Sequence, residues 1–120
     1  MADKDLLGRA GEDRAAQHLE SLGYEVLDRN WRASGGELDL VVASHSHVLV
    51  VEVKTRTSDR FGHPLEAIDD VKKARLWRLA MAWIAAHPQQ VQGRRLRIDA
   101  IGILGADPRT ATLEHLEGVI

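Results

Sequence analysis

The residues best suited to chemistry lie between Gly35 and Arg56, in the run GGELDLVVASHSHVLVVEVKTR. Glu37 to Ala43 and His47 to Arg56 are rich in Val and Leu and read as two β-strands, with a polar turn from Ser44 to His47. Side chains alternate along a strand, so Glu52, Lys54 and Arg56 share one face and Val51 and Val53 the other. Glu37 and Asp39 likewise share a face. A turn centred between His45 and Ser46 sets Asp39 opposite Glu52 and Glu37 opposite Lys54. Carboxylates facing each other across a ladder repel, and the arrangement persists best with a cation between them. The plain structural alternative is a solvated hairpin carrying ordinary cross-strand charge pairs. That alternative accounts for Glu37 with Lys54 but not for two acids face to face.

Asp39 followed by Glu52-Val53-Lys54 resembles the core of the PD-(D/E)xK nuclease superfamily, an Asp on one strand and Glu-x-Lys on the next. The wider pattern is GRAGEDRAAQHLESLGYEVLDRNWR, then GELDLVV, then VEVKTR, then a Lys/Arg-bearing helix. It resembles the YraN-like family of small bacterial proteins over nearly the whole chain, and archaeal Holliday-junction resolvases more distantly.

The resemblance implies a restriction-endonuclease-like core and an acidic metal site. Carboxylates without Cys, and without His at ligand spacing, select a hard oxygen-seeking cation, Mg²⁺ or Mn²⁺. Its expected ligands are Asp39, Glu52 and the Val53 carbonyl, with Glu12 a candidate third acid. Glu12 falls at the edge of the inner stripe of the first helix. Its other reading is a boundary Glu paired with Arg9 or a nearby lysine. Lys54 is drawn as a base in this superfamily. Two neighbouring carboxylates should raise its pKa and keep it charged, as a group that holds water or steadies phosphorane charge, while a bound metal would partly offset the acids, so the base role stays open. Glu37 is expected as an orienting partner of Lys54 or a further acid. The catalytic set is thus Asp39, Glu52, Lys54 and Glu37.

Several elements must position these groups. A first helix is expected from about Asp3 to Leu22, ending at Gly23, with Gly8, Gly11, Ala15, Leu19 and Leu22 facing inward. Tyr24 to Trp31 reads as a strand, and Asn30 to Gly36 as a flexible connection. Arg32, beside Glu37, either contacts phosphate or neutralises the local acid. The run TSDRFGHPLEA after Arg56 reads as a loop over the site. Its Phe61 either stacks on a base or, as is commoner, tucks onto the core. A second helix is expected from about Leu65 to Ala86, stopping before Pro88, with Ile68, Leu76, Leu79, Trp83 and Ala86 inward. Lys72 sits in the middle of that stripe and Arg75 close to it. They can snorkel, but the central place of Lys72 points it at the acids and at phosphate. Trp77, Met81 and Ile84 form a second apolar stripe, and a homodimer through it is expected. Strands from Arg94 to Ile103 and Thr112 to Leu116 complete the order α-β-β-β-α-β-β. Helices bracketing a run of strands give an α/β domain with a mixed sheet.

Composition fits a single domain over residues 1–120. There is no Cys, hence no disulfide or thiolate metal site. No apolar run approaches a membrane span and MADKDLL lacks a secretory core, so a cytoplasmic location is expected. The six His are scattered and expected in turns or on the surface. The net charge of −2 offers no global field for nucleic acid, so binding must come from local cations: Arg56, Lys72, Arg75 and Arg32. Three functions compete. The first is a Mg²⁺- or Mn²⁺-dependent nuclease on DNA, selective for branched or single-stranded structure. The second is a nucleic-acid-binding module of DNA processing or uptake with little catalysis. The third is an interaction protein with a vestigial site. The intact Asp39, Glu52 and Lys54 favour the first over the third.

Overall fold

A computed structural model describes residues 2–120, with side chains from Leu6 onward. Its elements run in chain order: α1 (Ala2–Ser21), β1 (Glu25–Ala33), β2 (Gly36–Ala43), β3 (His47–Arg56), a 3-10 turn (Pro64–Ala67), α2 (Asp70–Ala86), a short α3 (Pro88–Val91), β4 (Arg95–Leu104) and β5 (Thr112–Leu116). Leaving aside the two short helical turns, this is the expected α-β-β-β-α-β-β order of a mixed α/β domain. It is consistent with a restriction-endonuclease-like core.

The five strands form one sheet in the order β1-β2-β3-β4-β5. Only β3 and β4 are parallel, because the chain between them crosses over through α2. Val48 to Val51 of β3 are all fully buried, as a central strand covered on both faces requires. One face packs Leu40, Val42, Leu49, Val51, Ile101 and Ile103 against Ala15, Ala16 and Leu19 of α1. The other packs Val41, Val48, Val50 and Ile98 against Leu76, Leu79, Ala80 and Trp83 of α2. Trp83 is fully buried, and its indole N–H donates to Asp28 Oδ2 at 3.1 Å, which satisfies the polar end of the ring.

Local chemistry moves several expected boundaries. Residues 65–86 are not one helix. The 3-10 turn over Pro64–Ala67 comes first, and α2 starts afresh at Asp70 because the Asp69 carboxylate accepts from the Lys72 N–H at 2.9 Å. Leu22 and Ala86 are expected inside and are exposed, Leu22 at 54%; each lies at or just beyond the last turn of its helix. β1 extends to Ala33 through a register shift between Val26 and Asp28, and Asn30 within it takes a left-handed φ of 52°. Asn tolerates that conformation better than other residues that carry a Cβ. Met81 and Ile84 pack half-buried against the α2-side core, and Ile84 lies beside Pro88 and Val91 of α3. The second apolar stripe is therefore mostly covered from within the chain, and Trp77, 47% exposed, is its open member. No helix among the described residues is long and apolar enough to cross a membrane.

Candidate functional site

The β2–β3 ladder runs from Ala43↔Val48 to Leu40↔Val51 in the register the turn predicts. Asp39 and Glu52 are the next pair, where the ladder opens. Leu38 belongs to the α2-side cluster while Leu40 belongs to the α1 side with Val42, as alternation demands of the latter pair only. Strict alternation thus fails at Leu38–Asp39. There the Asp39 carboxylate turns to β3 and its Oδ2 accepts the Val53 N–H at 2.8 Å. A side-chain oxygen replaces a main-chain acceptor at the point where the strands part.

Glu52 is buried, and a buried carboxylate requires a partner. It finds one in Lys72 of α2, whose Nζ lies 2.6 Å from Glu52 Oε2. The cation in the middle of an apolar helix stripe is therefore aimed at the acid. Burial, and next the Glu52 carboxylate, push the Asp39 carboxyl up to about 8; the Val53 amide opposes this only in part. Glu12 is half-buried and its carboxyl is also raised, chiefly by burial, although a hydrogen bond from Asn30 and the charge of Arg29 act the other way. Glu12 feels the charge of Glu37, and Asp39 feels that of Glu12, so α1 does bring its acid to the hairpin.

That approach depends on Gly11. A Cβ there would collide with Thr55 Oγ1, so only glycine lets α1 lie this close to β3. Beside the contact is an open cleft of about 530 Å³, lined by Leu7, Gly8 and Glu12 of α1 and by Val53, Lys54, Thr55, Arg56 and Thr57. Lys54 and Arg56 thus share a cleft with Glu12. The Lys54 amine is lowered from its ordinary value rather than raised. Burial, then Arg56 and Lys72, outweigh the pull of Glu52 and Asp39. The acids alone predict the opposite sign; Arg56 and Lys72, folded in beside Lys54, reverse it together with burial.

The remaining candidates fall as follows. Glu37 pairs with exposed Arg32, Nε to Oε2 3.2 Å, so Arg32 neutralises local acid, and the β2–β3 ladder ends before Glu37 would face Lys54. Arg75 is exposed and its side chain lies over the Gly36 backbone. Phe61 does not tuck onto the core; it is 90% exposed. Asn30 escaped the sequence reading, and its left-handed backbone beside Glu12 has no signature that a strand pattern would reveal.

A second polar cluster also went unforeseen. Asp99 of β4 is fully buried. Arg97 grips it through Nε and Nη2 at 2.8 and 2.9 Å, His115 Nε2 lies 2.8 Å away, and the Gly118 N–H donates at 3.0 Å. His115 Nδ1 in turn faces His18 Nε2 of α1 at 3.1 Å. His63 meets Glu114 at 2.8 Å, and His87 stacks on Trp83 with ring centroids 4.2 Å apart. These four His have partners in the fold, and none of them is buried.

The chain matches the model of "Uncharacterised protein family UPF0102" over residues 11–103, a span that holds every acid of the site. It is 46% identical over 119 residues to a UPF0102 protein of Arthrobacter sp. (strain FB24), covering 99% of both chains. A UPF0102 protein of Beutenbergia cavernae is 47% identical over 119 residues, again covering 99% of both. One from Leifsonia xyli subsp. xyli is 45% identical over 120 residues and covers both chains fully. With this identity along its whole length, the chain belongs to family UPF0102, the YraN-like family.

Proposed function

We propose that this chain is a metal-dependent nuclease acting on DNA phosphodiesters, with selectivity for branched or single-stranded structure. The observation that carries this reading is the pressing together of Asp39 and Glu52 where the ladder opens, so that burial and Glu52 push Asp39 up to about 8. A site with two opposed, sequestered carboxylates gains from a cation. The donors are all hard oxygens and fit Mg²⁺ or Mn²⁺. Asp39, Glu52, the Val53 carbonyl and Glu12 would hold it. Such an ion supplies Lewis acidity to a phosphodiester and lowers the pKa of water.

The chain's own residues do the rest. Lys54 and Arg56 line the cleft beside Glu12, where a phosphate meets two cations. The lowered Lys54 amine holds the attacking water and is closer to serving as its base than the acids alone would allow. Lys72 on α2 brings positive charge to Glu52, and Arg75 of the same helix lies over the Gly36 backbone at the start of β2, in a chain whose net charge is −2. Two hypotheses differ at this point. The Lys72–Glu52 pair already neutralises one acid, which favours the alternative of a nucleic-acid-binding module with little catalysis.

The deciding experiment incubates the protein with supercoiled, single-stranded and four-way-junction DNA in Mn²⁺, beside Asp39→Ala. Cleavage by the wild type that is lost in the variant supports the nuclease. Binding without cleavage in both supports the module. Neither binding nor cleavage overturns both.

A further inference from the structure

Phe61 is the chain's one phenylalanine, and 90% of it faces solvent. An exposed ring of this size on a loose loop would carry little meaning. This loop is fastened at both ends. The Gly62 N–H closes a tight turn on the Asp59 carbonyl at 2.8 Å, with Gly62 at φ +96°, a value suited to glycine. The next residue, His63, is held at both ring nitrogens: Nδ1 accepts from the Leu65 N–H at 3.1 Å and Nε2 meets Glu114 of β5 at 2.8 Å. Pro64 is buried and Leu65 lies against Gly102 of β4. At the other end, the Arg56 carbonyl accepts the Gly105 N–H at 3.0 Å. The ring is therefore presented outward from an ordered base, on the loop that leaves β3 directly after Lys54 and Arg56. The Arg60 guanidinium stands 5.9 Å from the ring centroid.

We propose that Phe61 stacks on an unpaired base, so that the substrate class is nucleic acid with single-stranded character: single strands, or the unpaired nucleotides of a branch point. The inference rests on the nucleic-acid reading of the acidic site. In an intact duplex each base already has its π-faces covered by its neighbours. A ring on a narrow turn meets a free face only where a base has left the stack. Asp59 and Glu66, exposed beside the turn, outnumber the single cation Arg60 and disfavour a phosphate there, so the turn suits a base rather than the backbone. Backbone contact falls to Lys54 and Arg56, at the end of β3 where the loop begins.

The test is fluorescence anisotropy in EDTA with labelled oligothymidylate, a four-way junction and a blunt duplex, for wild type, Phe61→Ala and Phe61→Trp. A stacking base is worth roughly 5- to 150-fold in affinity. Phe61→Ala should lose that on the single strand and the junction, keep its duplex affinity, and leave the salt dependence unchanged. Phe61→Trp should restore binding. Equal affinities of wild type and Phe61→Ala for oligothymidylate, or an equal loss on all three DNAs, overturn the inference. A change in sedimentation of Phe61→Ala without a change in DNA binding also overturns it, by assigning the ring to a protein contact. The nuclease reading fails separately: if wild type discriminates single strands through Phe61 yet cleaves nothing in Mn²⁺, only catalysis is lost.

Discussion

Lys72 Nζ lies 2.6 Å from Glu52 Oε2, so a lysine of α2 neutralises the buried acid of β3. An ammonium and a divalent cation seek the same carboxylate oxygens and therefore compete. Removing the ammonium while keeping the stem, as in Lys72→Met, should tighten Mn²⁺ binding by on the order of tenfold, the equivalent of about 1.4 kcal/mol. Calorimetry with Mn²⁺ reads this directly, with Asp39→Asn as the variant expected to bind none. Unchanged or weaker binding in Lys72→Met would mean that Lys72 holds Glu52 in place rather than contending for it. The same variant should flatten the salt dependence of DNA binding by about one unit of log–log slope, if Lys72 also reaches phosphate.

Asp39 gives a pH-dependent prediction with a definite sign. Its carboxyl is pushed up to about 8 by burial and by Glu52, against an ordinary value of 3.8. In the unfolded chain it ionises near 3.8, and in the folded chain only near 8. Between those values unfolding releases a proton, so rising pH favours the unfolded state. Below about pH 4 the group is neutral in both states and the penalty vanishes. Asp39→Asn, which keeps an oxygen for the Val53 N–H, should therefore raise the melting temperature in EDTA at pH 8 by several degrees, at roughly 4 °C per kcal/mol for a chain of this length. The gain should shrink to nil near pH 4. A loss of stability at pH 8 would remove the case for a strained acidic pair.

Much of this was legible in the strands. The alternation of β2 and β3 and the polar turn between them fixed the register, and with it the meeting of Asp39 and Glu52. The place of Lys72 within an apolar stripe pointed correctly to the acids, since a helix wheel shows which face meets the sheet. The direction of the Lys54 shift was not legible. It depends on Arg56 and Lys72, which reach Lys54 only in three dimensions. Phe61 was misjudged because a lone aromatic in a loop is usually covered, and its exposure comes from the turn at Gly62 and the clamp on His63. Asp99 reads in sequence as one polar residue alternating with Arg97 on a strand. Its burial follows from β5 and the following residues closing over β4, which no local pattern announces.

Asp99 contributes stability that acid should remove. Burial acts to raise its carboxyl, but the Arg97 hydrogen bond outweighs it together with the Gly118 amide and His115, and the net shift is downward from 3.8. A depressed folded pKa stabilises the fold above the unfolded value, and the contribution is lost as pH falls from about 4 through the folded value. At neutral pH the full contribution is present. Asp99→Asn keeps the size of the side chain but removes the charge that Arg97 and His115 meet, and should cost about 1–3 kcal/mol at pH 7. Its stability curve should be flatter than the wild type's below pH 4, so that the two converge in acid. Urea unfolding at pH 7, 5, 4 and 3 measures both features. Parallel curves with a constant gap would show that Asp99 acts through packing alone, and the ionic tie between β4 and the C-terminal residues would have to be withdrawn.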